Sequence, residues 1–334
     1  MELNLIKLIK SNIEALPAIV SGGSLITSIG DDCAEFSPPA GFDLLFTTDT
    51  MIEGVHFRLS YHSPVSLGRK LVSVNVSDIA AMAGSPKIAL LNLEVPPRLS
   101  DSSMSFWPLL IRGIVERLRE FGAILVGGDT VKAGGNRLGL TLTLVGAVKK
   151  GQAVYRKGAK IGDQIYCSGF VGESALGLKI LEKRRIQLPL PVKRHLINRH
   201  LNPEPRFRLS QILADCGVTA MIDVSDGIAT DLAHLCEESG VRANIIKNRI
   251  PVSRAVRIAS SVLGIDAVSV SLCGGEDYEL LWTIPQSRAQ EMEKKVARAM
   301  HQRPYRIGWI ENGKGVWLKD GEKSIDVTFK GYEH

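Results

Sequence analysis

Apolar residues recur along this chain with two spacings. Period-two runs predict strands, and apolar residues three or four positions apart predict helices. In the first half the strands are predicted at 25–29, 43–48, 88–95, 123–127 and 138–148, and the helices at 68–83 and 105–121. The second of these helices ends before Gly122, a residue type favoured just after a helix C-terminus.

A basic, glycine-containing stretch at 149–163 interrupts this pattern. Beyond it the elements are predicted as strand 164–169, helix 172–185, strand 220–225, helix 226–240, strands 268–274 and 278–284, and helix 286–300. Strands alternating with helices in both halves indicate α/β layers. We therefore expect an α/β (α+β) protein with two domains, 1–150 and 151–334.

Length and composition agree with that division. The chain has 334 residues, of which 45% are hydrophobic and 23% charged, as in an ordinary soluble protein of about two domains. Its net charge of +6 favours anionic partners, and phosphorylated metabolites satisfy this as well as nucleic acid does. No apolar run approaches the roughly 20 residues that span a bilayer, so we expect no membrane partner.

Two further features of the composition argue against particular classes of protein. The five cysteines are scattered without a CxxC pair, which argues against a disulfide framework or a zinc site and favours a reducing cytoplasm. The basic stretch 183–208 contains only one aromatic residue, Phe207. Single-strand binders stack bases on several aromatic side chains, so we interpret this stretch as a solvated helix and loop and expect no nucleic-acid partner.

Carboxylates follow several of the predicted strands. They are Asp31 and Asp32, Asp49, Asp129, Asp223 with Asp226, and Glu276 with Asp277, and glycine pairs precede Asp129 and Glu276. α/β proteins build their sites at the carboxyl ends of strands, and glycine there lets a backbone approach a ligand. Asp78 differs, because it lies in a predicted helix three residues after Asn75, on the same face.

Convergence of these acids would require cations. At about 4 Å and an effective dielectric constant near 20, each like-charge pair costs about 4 kcal/mol. With no paired His or Cys nearby, oxygen ligands indicate Mg²⁺ or Ca²⁺. The alternative is that each glycine-acid motif is a plain turn or a helix N-cap. The P-loop, dinucleotide-binding, protein-kinase, HExxH and GxSxG signatures are absent from the sequence.

Seven motifs in order carry a family resemblance. They are SIGDDCAEF (28–36), TTDTMIEGVHF (47–57), NVSDIAAMAGSP (75–86), LVGGDTVKAG (125–134), YRKGAKIGDQIYCSG (155–169), DVSDGIATDL (223–232) and LCGGEDYELL (272–281). Together they resemble thiamine-monophosphate kinase over nearly the whole chain. That family is related to aminoimidazole ribonucleotide synthetase, selenophosphate synthetase and the hydrogenase maturation dehydratase.

The resemblance implies a cytoplasmic enzyme that phosphorylates thiamine monophosphate with ATP. It implies direct in-line transfer assisted by several Mg²⁺ ions, with ATP in a cleft between the domains. It also implies a homodimer in which the mixed sheets of the N-terminal domains pair into a barrel-like unit. Domain 1–150 would bind metal and ATP and dimerise, and domain 151–334, a layered α/β domain, would complete the nucleotide and substrate cleft.

Site residues follow from the same resemblance, position by position. The metal ligands implied are Asp32, Thr47, Thr48, Asp49, Asp78, Asp129, Asp223 and Asp226. ATP contacts are implied for Gly128, Arg156 and Ser225, and contacts to thiamine monophosphate for His56, Glu276 and Phe329. Since the acceptor phosphate is already ionised, we assign no general base.

Other interpretations remain open on the residues alone. His56 could cap or pack locally. A sister enzyme is disfavoured, because no cysteine precedes Leu25, as in selenophosphate synthetase, and the chain ends GYEH rather than in the cysteine of the maturation dehydratase. A non-catalytic Ca²⁺- or nucleotide-binding module is a different class of protein, although the EF-hand pattern is missing.

Overall fold

The computed structural model describes residues 8, 11, 23–29, 33–100, 105–183 and 186–331. It divides into two compact units. The first comprises Met1–Ile79 and Gly84–Gly151, and the second comprises Ala80–Ala83 and Gln152–His334. Among the described residues, no single helix is long and apolar enough to cross a membrane; two consecutive helices, Arg254–Leu263 and Ala267–Cys273, pass that test only together, across a bend of 112°.

The first unit is built on a four-stranded mixed sheet. After an antiparallel pair, β1 (Ser24–Thr27) and β2 (Glu35–Ser37), its elements are β3 (Phe42–Ile52), α1 (Pro64–Ala81), β4 (Ser85–Val95), α2 (Phe106–Glu120), β5 (Ile124–Lys132) and β6 (Gly139–Lys149). The sheet order is β3-β6-β4-β5, in which β4 and β5 are parallel and the other neighbours antiparallel.

One face of this sheet is packed and the other is open. Leu91 and Leu93 of β4 are buried, whereas Leu90, the residue before them, is 38% exposed. On the packed face α2 contacts β5, and Ile79 of α1 lies against Gly146 of β6. On β3 the open face carries Phe46, which is 71% exposed. This alternation follows from the period-two geometry of strands, and within the described part of the unit no helix covers the second face.

The second unit has a seven-stranded sheet in the order β13-β12-β9-β11-β7-β10-β8. Its strands are β7 (Gln164–Cys167), β8 (Ala220–Asp223), β9 (Arg242–Ile246), β10 (Leu280–Ile284), β11 (Tyr305–Glu311), β12 (Gly315–Asp320) and β13 (Lys323–Asp326). All neighbours are antiparallel except β9 and β12, which are parallel.

Helices cover both faces of this second sheet. They are α3 (Glu173–Glu182), α4 (Leu190–Leu201), α5 (Phe207–Ala214), α6 (Ile228–Ser239), α7 (Arg254–Leu263), α8 (Ala267–Cys273) and α9 (Gln286–Met300). Strand residues alternate between two cores: Ile165 and Cys167 pack in the core that includes α6, and Tyr166 packs with α5 and α9. The result is a helix–sheet–helix layering.

The predicted fold class, with an N-terminal mixed sheet and a C-terminal layered α/β domain, is confirmed. One predicted strand, 268–274, is wrong, because 268–273 belongs to helix α8 and Gly274 follows its C-terminus. The apolar alternation of Val268, Val270 and Leu272 suggested a strand, but the Asp266 side chain accepts a hydrogen bond from Ser269 N and caps a helix instead. The strands β9, β11, β12 and β13 were not predicted.

Candidate active site

Three predicted metal ligands lie together in the first unit. Thr47 and Asp49 are on the same face of β3, and Asp78 faces them from α1. Thr47 Oγ1 donates to Asp78 Oδ2 at 2.5 Å. Burial, reinforced by the charge of Asp78, raises the pKa of Asp49 to about 7. Two crowded carboxylates beside a hydroxyl form an all-oxygen donor set that suits a hard divalent cation.

Thr48 points away from this group. Alternate residues of a strand face opposite sides, and the Thr48 hydroxyl lies 3.1 Å from that of Thr143 on the open face of the sheet. The side chain of Thr48 therefore does not join Asp49 and Asp78. The predicted role of Thr48 as a metal ligand stays a prediction.

His56 lies in the turn that follows β3. Its Nδ1 accepts a hydrogen bond from Ile52 N at 3.0 Å, and its own backbone N–H donates to Ile52 O at 2.9 Å. The side chain thus caps the end of the strand, which is the local role considered from the sequence. The same bond fixes the tautomer, because an accepting Nδ1 leaves the proton of a neutral imidazole on Nε2.

Gly128 and Asp129 lie inside β5 rather than after it. Gly128 has φ of +149°, and a Cβ there would lie 1.8 Å from Leu91 O, so glycine is needed for β4 and β5 to pair. Asn92 Oδ1 accepts from Asp129 N at 3.0 Å. Asn92, which sequence reasoning missed, therefore fixes the backbone that presents Asp129.

In the second unit, Asp223 ends β8 and Asp226 precedes α6, as predicted for acids at a strand terminus. Asp231, in the first turn of α6, holds the loop between them. Its Oδ2 accepts hydrogen bonds from the backbone N–H groups of Ser225 and Asp226 at 3.1 Å each. Burial, then the charges of Asp223 and Asp226, raise the pKa of Asp231 well above its ordinary value. Asp231 was missed, although an acid in the first turn of a helix is a recognisable signal.

Glu276 belongs to the same region. Its backbone N–H donates to Ser225 O at 2.7 Å. Gly275 is needed for that approach, since a Cβ there would lie 2.4 Å from Ser225 O. Because α8 is a helix, Glu276 precedes strand β10 instead of following a strand, which corrects the predicted pattern. Gly275, like Gly128, leaves room for the carbonyl group of a neighbouring backbone segment.

Phe329 is brought to this loop by the C-terminal segment. Gly331 N donates to Thr230 Oγ1 at 2.9 Å, in the first turn of α6 that follows Asp226. The Phe329 ring packs edge-on against His234, with 5.1 Å between centroids, and remains 40% exposed. The second unit therefore brings Asp223, Ser225, Asp226, Glu276 and Phe329 together.

Arg156 lies in the exposed segment before β7. The neighbouring Tyr155 carbonyl accepts from Met221 N at 2.9 Å, so this segment runs beside β8, and Arg156 O accepts from Ser239 Oγ at 3.1 Å. Asp32 lies outside the described residues. Within the described ranges, no three His, Cys, Asp or Glu side chains form a closed metal centre.

The basic stretch 183–208 is not simply solvated, which corrects that interpretation. The fully buried Glu279 accepts from Arg199 Nη2 at 2.9 Å, from Arg206 Nε at 2.6 Å, and from Ser168. Burial opposes ionisation of Glu279, but the two guanidinium groups hold its pKa below the ordinary value. No local sequence signal connects residues more than 70 positions apart, so this network could not have been predicted.

Comparison with known proteins shows which proteins this chain is similar to. Residues 30–148 match the family described as AIR synthase related protein, N-terminal domain. The thiamine-monophosphate kinase of Bacillus subtilis (strain 168) is 34% identical over 321 residues, covering 95% of this chain and 96% of the relative. The structure of thiamine-monophosphate kinase from Stenotrophomonas maltophilia K279a superposes with a TM-score of 0.81 at 32% identity, covering 94% and 95% of the two chains.

A solved structure of AaThiL complexed with AMPPCP and TMP is also similar, with a TM-score of 0.74 at 32% identity and coverage of 97% and 96%. The first unit, which contains Asp49 and Asp78, thus matches the N-terminal domain of an AIR synthase related protein. Within that class, the chain belongs to the thiamine-monophosphate kinase family. The resemblance drawn from the seven motifs is confirmed.

Proposed function

We propose that this chain transfers the γ-phosphoryl group of ATP to thiamine monophosphate, giving thiamine diphosphate and ADP. Its relationship to thiamine-monophosphate kinases over 95% of its length supports the substrates. The observation that carries the chemistry is the crowding of Asp49 and Asp78 beside Thr47, where burial and the charge of Asp78 raise the pKa of Asp49 to about 7. Such a pair is suited to a divalent cation and poorly suited to remaining without one.

The donor set fits Mg²⁺. Asp49, Asp78, the Thr47 hydroxyl and the Thr48 carbonyl would hold it in the first unit, with Asp32 added by the resemblance; Asp129, Asp223 and Asp226 would hold further ions. When bound, Mg²⁺ neutralises phosphate oxygens and so lowers the repulsion between two anionic substrates. Carboxylate oxygens with phosphate completing the shell are its usual environment.

The side chains of the chain supply positioning and charge. Arg156 offers a guanidinium group to the triphosphate, while Gly128 and Ser225 contribute ATP contacts. Glu276, Phe329 and His56 bind thiamine monophosphate, Glu276 through its carboxylate and Phe329 through its exposed ring face. Because the acceptor phosphate is already ionised, no residue has to remove a proton, and the transfer is direct and in line. A phosphoenzyme trapped by rapid quench with γ-labelled ATP would contradict direct transfer.

The sheet of the first unit supports a homodimer. Asp49 and Asp129 lie on β3 and β5, which are opposite edges of the sheet. Three strand spacings separate them, roughly 14 Å, so a single ion cannot be bound by both within one copy. Phe46, Leu90 and Val131 are exposed on the open face or edge of that sheet. We propose that the sheet of a second copy pairs with this one into a barrel-like unit, so that the partner's β5 edge, with its Asp129, comes next to the β3 edge that carries Asp49.

The cysteines support a reducing compartment. All five are unpaired, and burial raises the pKa of the Cys236 thiol to about 12, which keeps it protonated and unreactive. We therefore place the enzyme in the cytoplasm.

A coupled assay of ADP release tests the proposal. With Mg²⁺-ATP we expect turnover on thiamine monophosphate and much slower release with no acceptor, and the same assay with free thiamine defines the acceptor. Chelation with EDTA should abolish turnover. Absence of turnover together with tight Ca²⁺ binding would instead support a non-catalytic module and defeat the kinase proposal.

A further inference from the structure

The segment 274–278 that carries Glu276 has an unusual backbone. Glu276 and Tyr278 have φ of 62° and 52°, in the left-handed region that residues with side chains rarely adopt. Such conformations persist where surrounding contacts impose them, and they concentrate at functional sites. Here Glu276 N donates to Ser225 O at 2.7 Å, and Tyr278 N donates to Val224 O at 2.8 Å. The segment is thereby fixed to the loop after β8.

The neighbouring acids, Asp277 and Glu279, are buried and are held by groups inside the protein. Asp277, which is 1% exposed, accepts from Gly172 N at 2.5 Å and from Ser174 N at 3.0 Å, at the start of α3. Glu279, which is 0% exposed, is held by Arg199 and Arg206. The side chain of Glu276, in contrast, is 30% exposed. Of the three acids, Glu276 is therefore the one placed to meet a ligand.

His200 of α4 contacts this exposed acid from the buried side. The imidazole is 1% exposed, and its Nδ1 lies 3.2 Å from Glu276 Oε2 and 3.1 Å from Ser174 Oγ. The adjacent Arg199 donates to the Asp277 carbonyl at 3.3 Å. Helix α4 thus contacts both the backbone and the carboxylate of the segment. A buried ring with these contacts has little freedom to move away.

We propose that His200 is a positioning residue that holds the Glu276 carboxylate in the orientation in which it binds the thiamine part of the substrate; this inference rests on the proposed function. Thiamine presents an amino donor and a cationic ring, and a carboxylate suits both. A carboxylate already held at Oε2 loses less rotamer freedom when the ligand binds. His200 itself need not touch the substrate.

Steady-state kinetics of matched variants test this role. His200→Ala removes the contact, and His200→Asn keeps an amide nitrogen near the position of Nδ1. Leu196→Ala is the control for lost packing, since Leu196 lies one turn earlier on the same helix and is 0% exposed. We expect His200→Ala to raise KM for thiamine monophosphate about tenfold, with KM for ATP within about twofold. His200→Asn should recover most of the loss, and Leu196→Ala should lower Tm without changing KM for thiamine monophosphate.

Further variants distinguish failure of the positioning role from failure of the proposed function. If His200→Ala does not fold, Ser174→Ala removes the second contact of the ring and should raise the same KM about threefold. If wild type does not turn over thiamine monophosphate, the proposed function fails. If Glu276→Gln raises KM for thiamine monophosphate and neither the His200 variants nor Ser174→Ala do, the positioning role is overturned. Equal effects of His200→Ala and Leu196→Ala, or a normal KM in Glu276→Gln, would also overturn it.

Discussion

The close approach of the Asp49 and Asp78 carboxylates is unfavourable in the protein without a cation, and the same arrangement suits the binding of a cation. Burial, and then the nearby charge of Asp78, raise the pKa of Asp49 to about 7. The divalent cation proposed above would remove this penalty. Its binding would then be coupled to folding, because any ligand that binds only the folded state stabilises it.

Asp78→Asn should separate these two effects. Turnover should fall by about 100-fold or more, since a charged group that acts on phosphoryl transfer is lost. The Tm in EDTA should not fall, because one of two like charges has gone. Asp43→Asn, on the same strand and exposed, is the control and should leave both values unchanged. Near-normal turnover in Asp78→Asn would refute the metal assignment.

Glu279→Gln tests the buried ion-pair network. The variant leaves Arg199 and Arg206 without their anion, and breaking a buried pair costs about 3–5 kcal/mol of unfolding free energy at neutral pH. The pKa of Glu279 is lowered in the folded state by Arg206 and Arg199 against the effect of burial. The stabilisation is thus present above the unfolded pKa and is lost as pH falls through the folded one.

Urea unfolding at pH 7 and pH 3.5 would measure this dependence. The gap between wild type and Glu279→Gln should be large at pH 7 and smaller at pH 3.5. Glu311→Gln removes a half-exposed pair with Arg242 and should cost under about 1 kcal/mol at either pH. A gap that does not vary with pH would mean that packing, and not charge, accounts for the loss.

At the scale of elements, the glycine at position 128 decides whether β4 and β5 can pair. Gly128→Ala would place a Cβ 1.8 Å from Leu91 O at a φ of +149°. We expect a loss of about 3 kcal/mol or more, seen as a lower Tm by circular dichroism. Gly134→Ala, where no atom lies within 4 Å of the added Cβ, should be neutral or slightly stabilising. Equal Tm values for the two variants would contradict this account of the strand pair.

The elements also show what the sequence could predict. Acids at a strand terminus were correctly predicted at Asp223 and Asp226, because β8 is short and buried. Asp49 and Asp129 were predicted to follow strands, yet β3 and β5 run three residues past each of them. Both are edge strands that contain polar residues before their last residue. The apolar pattern therefore stops before the strand does, and the position of the strand end cannot be read from it. At α8, the Asp266 cap outweighed apolar alternation over seven residues.

Contacts between distant segments were beyond sequence reasoning altogether. Arg199 and His200 contact Glu279 and Glu276, which lie more than 70 positions away in the sequence, and a basic run gives no sign that two of its members pair with distant acids. The family resemblance assigned Asp223 and Glu276 to one site, and the structure places both around the loop after β8. Strand alternation alone indicated acids but gave no grouping.

At the scale of the whole molecule, the separation of β3 and β5 predicts shared sites in a dimer. Asp49→Asn and Asp129→Asn should each be inactive alone. Mixed and refolded at equal amounts, they should recover about a quarter of wild-type activity, because half of the dimers are mixed and each has one intact site. Mixing Asp49→Asn with Asp78→Asn should recover nothing, since both changes affect the same group. Absence of recovery in the first mixture would contradict the shared site.

The most direct test of the central claim follows the phosphoryl group itself. The purified chain is incubated with Mg²⁺, γ-³²P-labelled ATP and thiamine monophosphate, and the thiamine phosphates are separated by chromatography. The account predicts label in thiamine diphosphate, equal in amount to the ADP formed and absent in EDTA. Release of the label only as inorganic phosphate, with thiamine monophosphate unchanged, would contradict it.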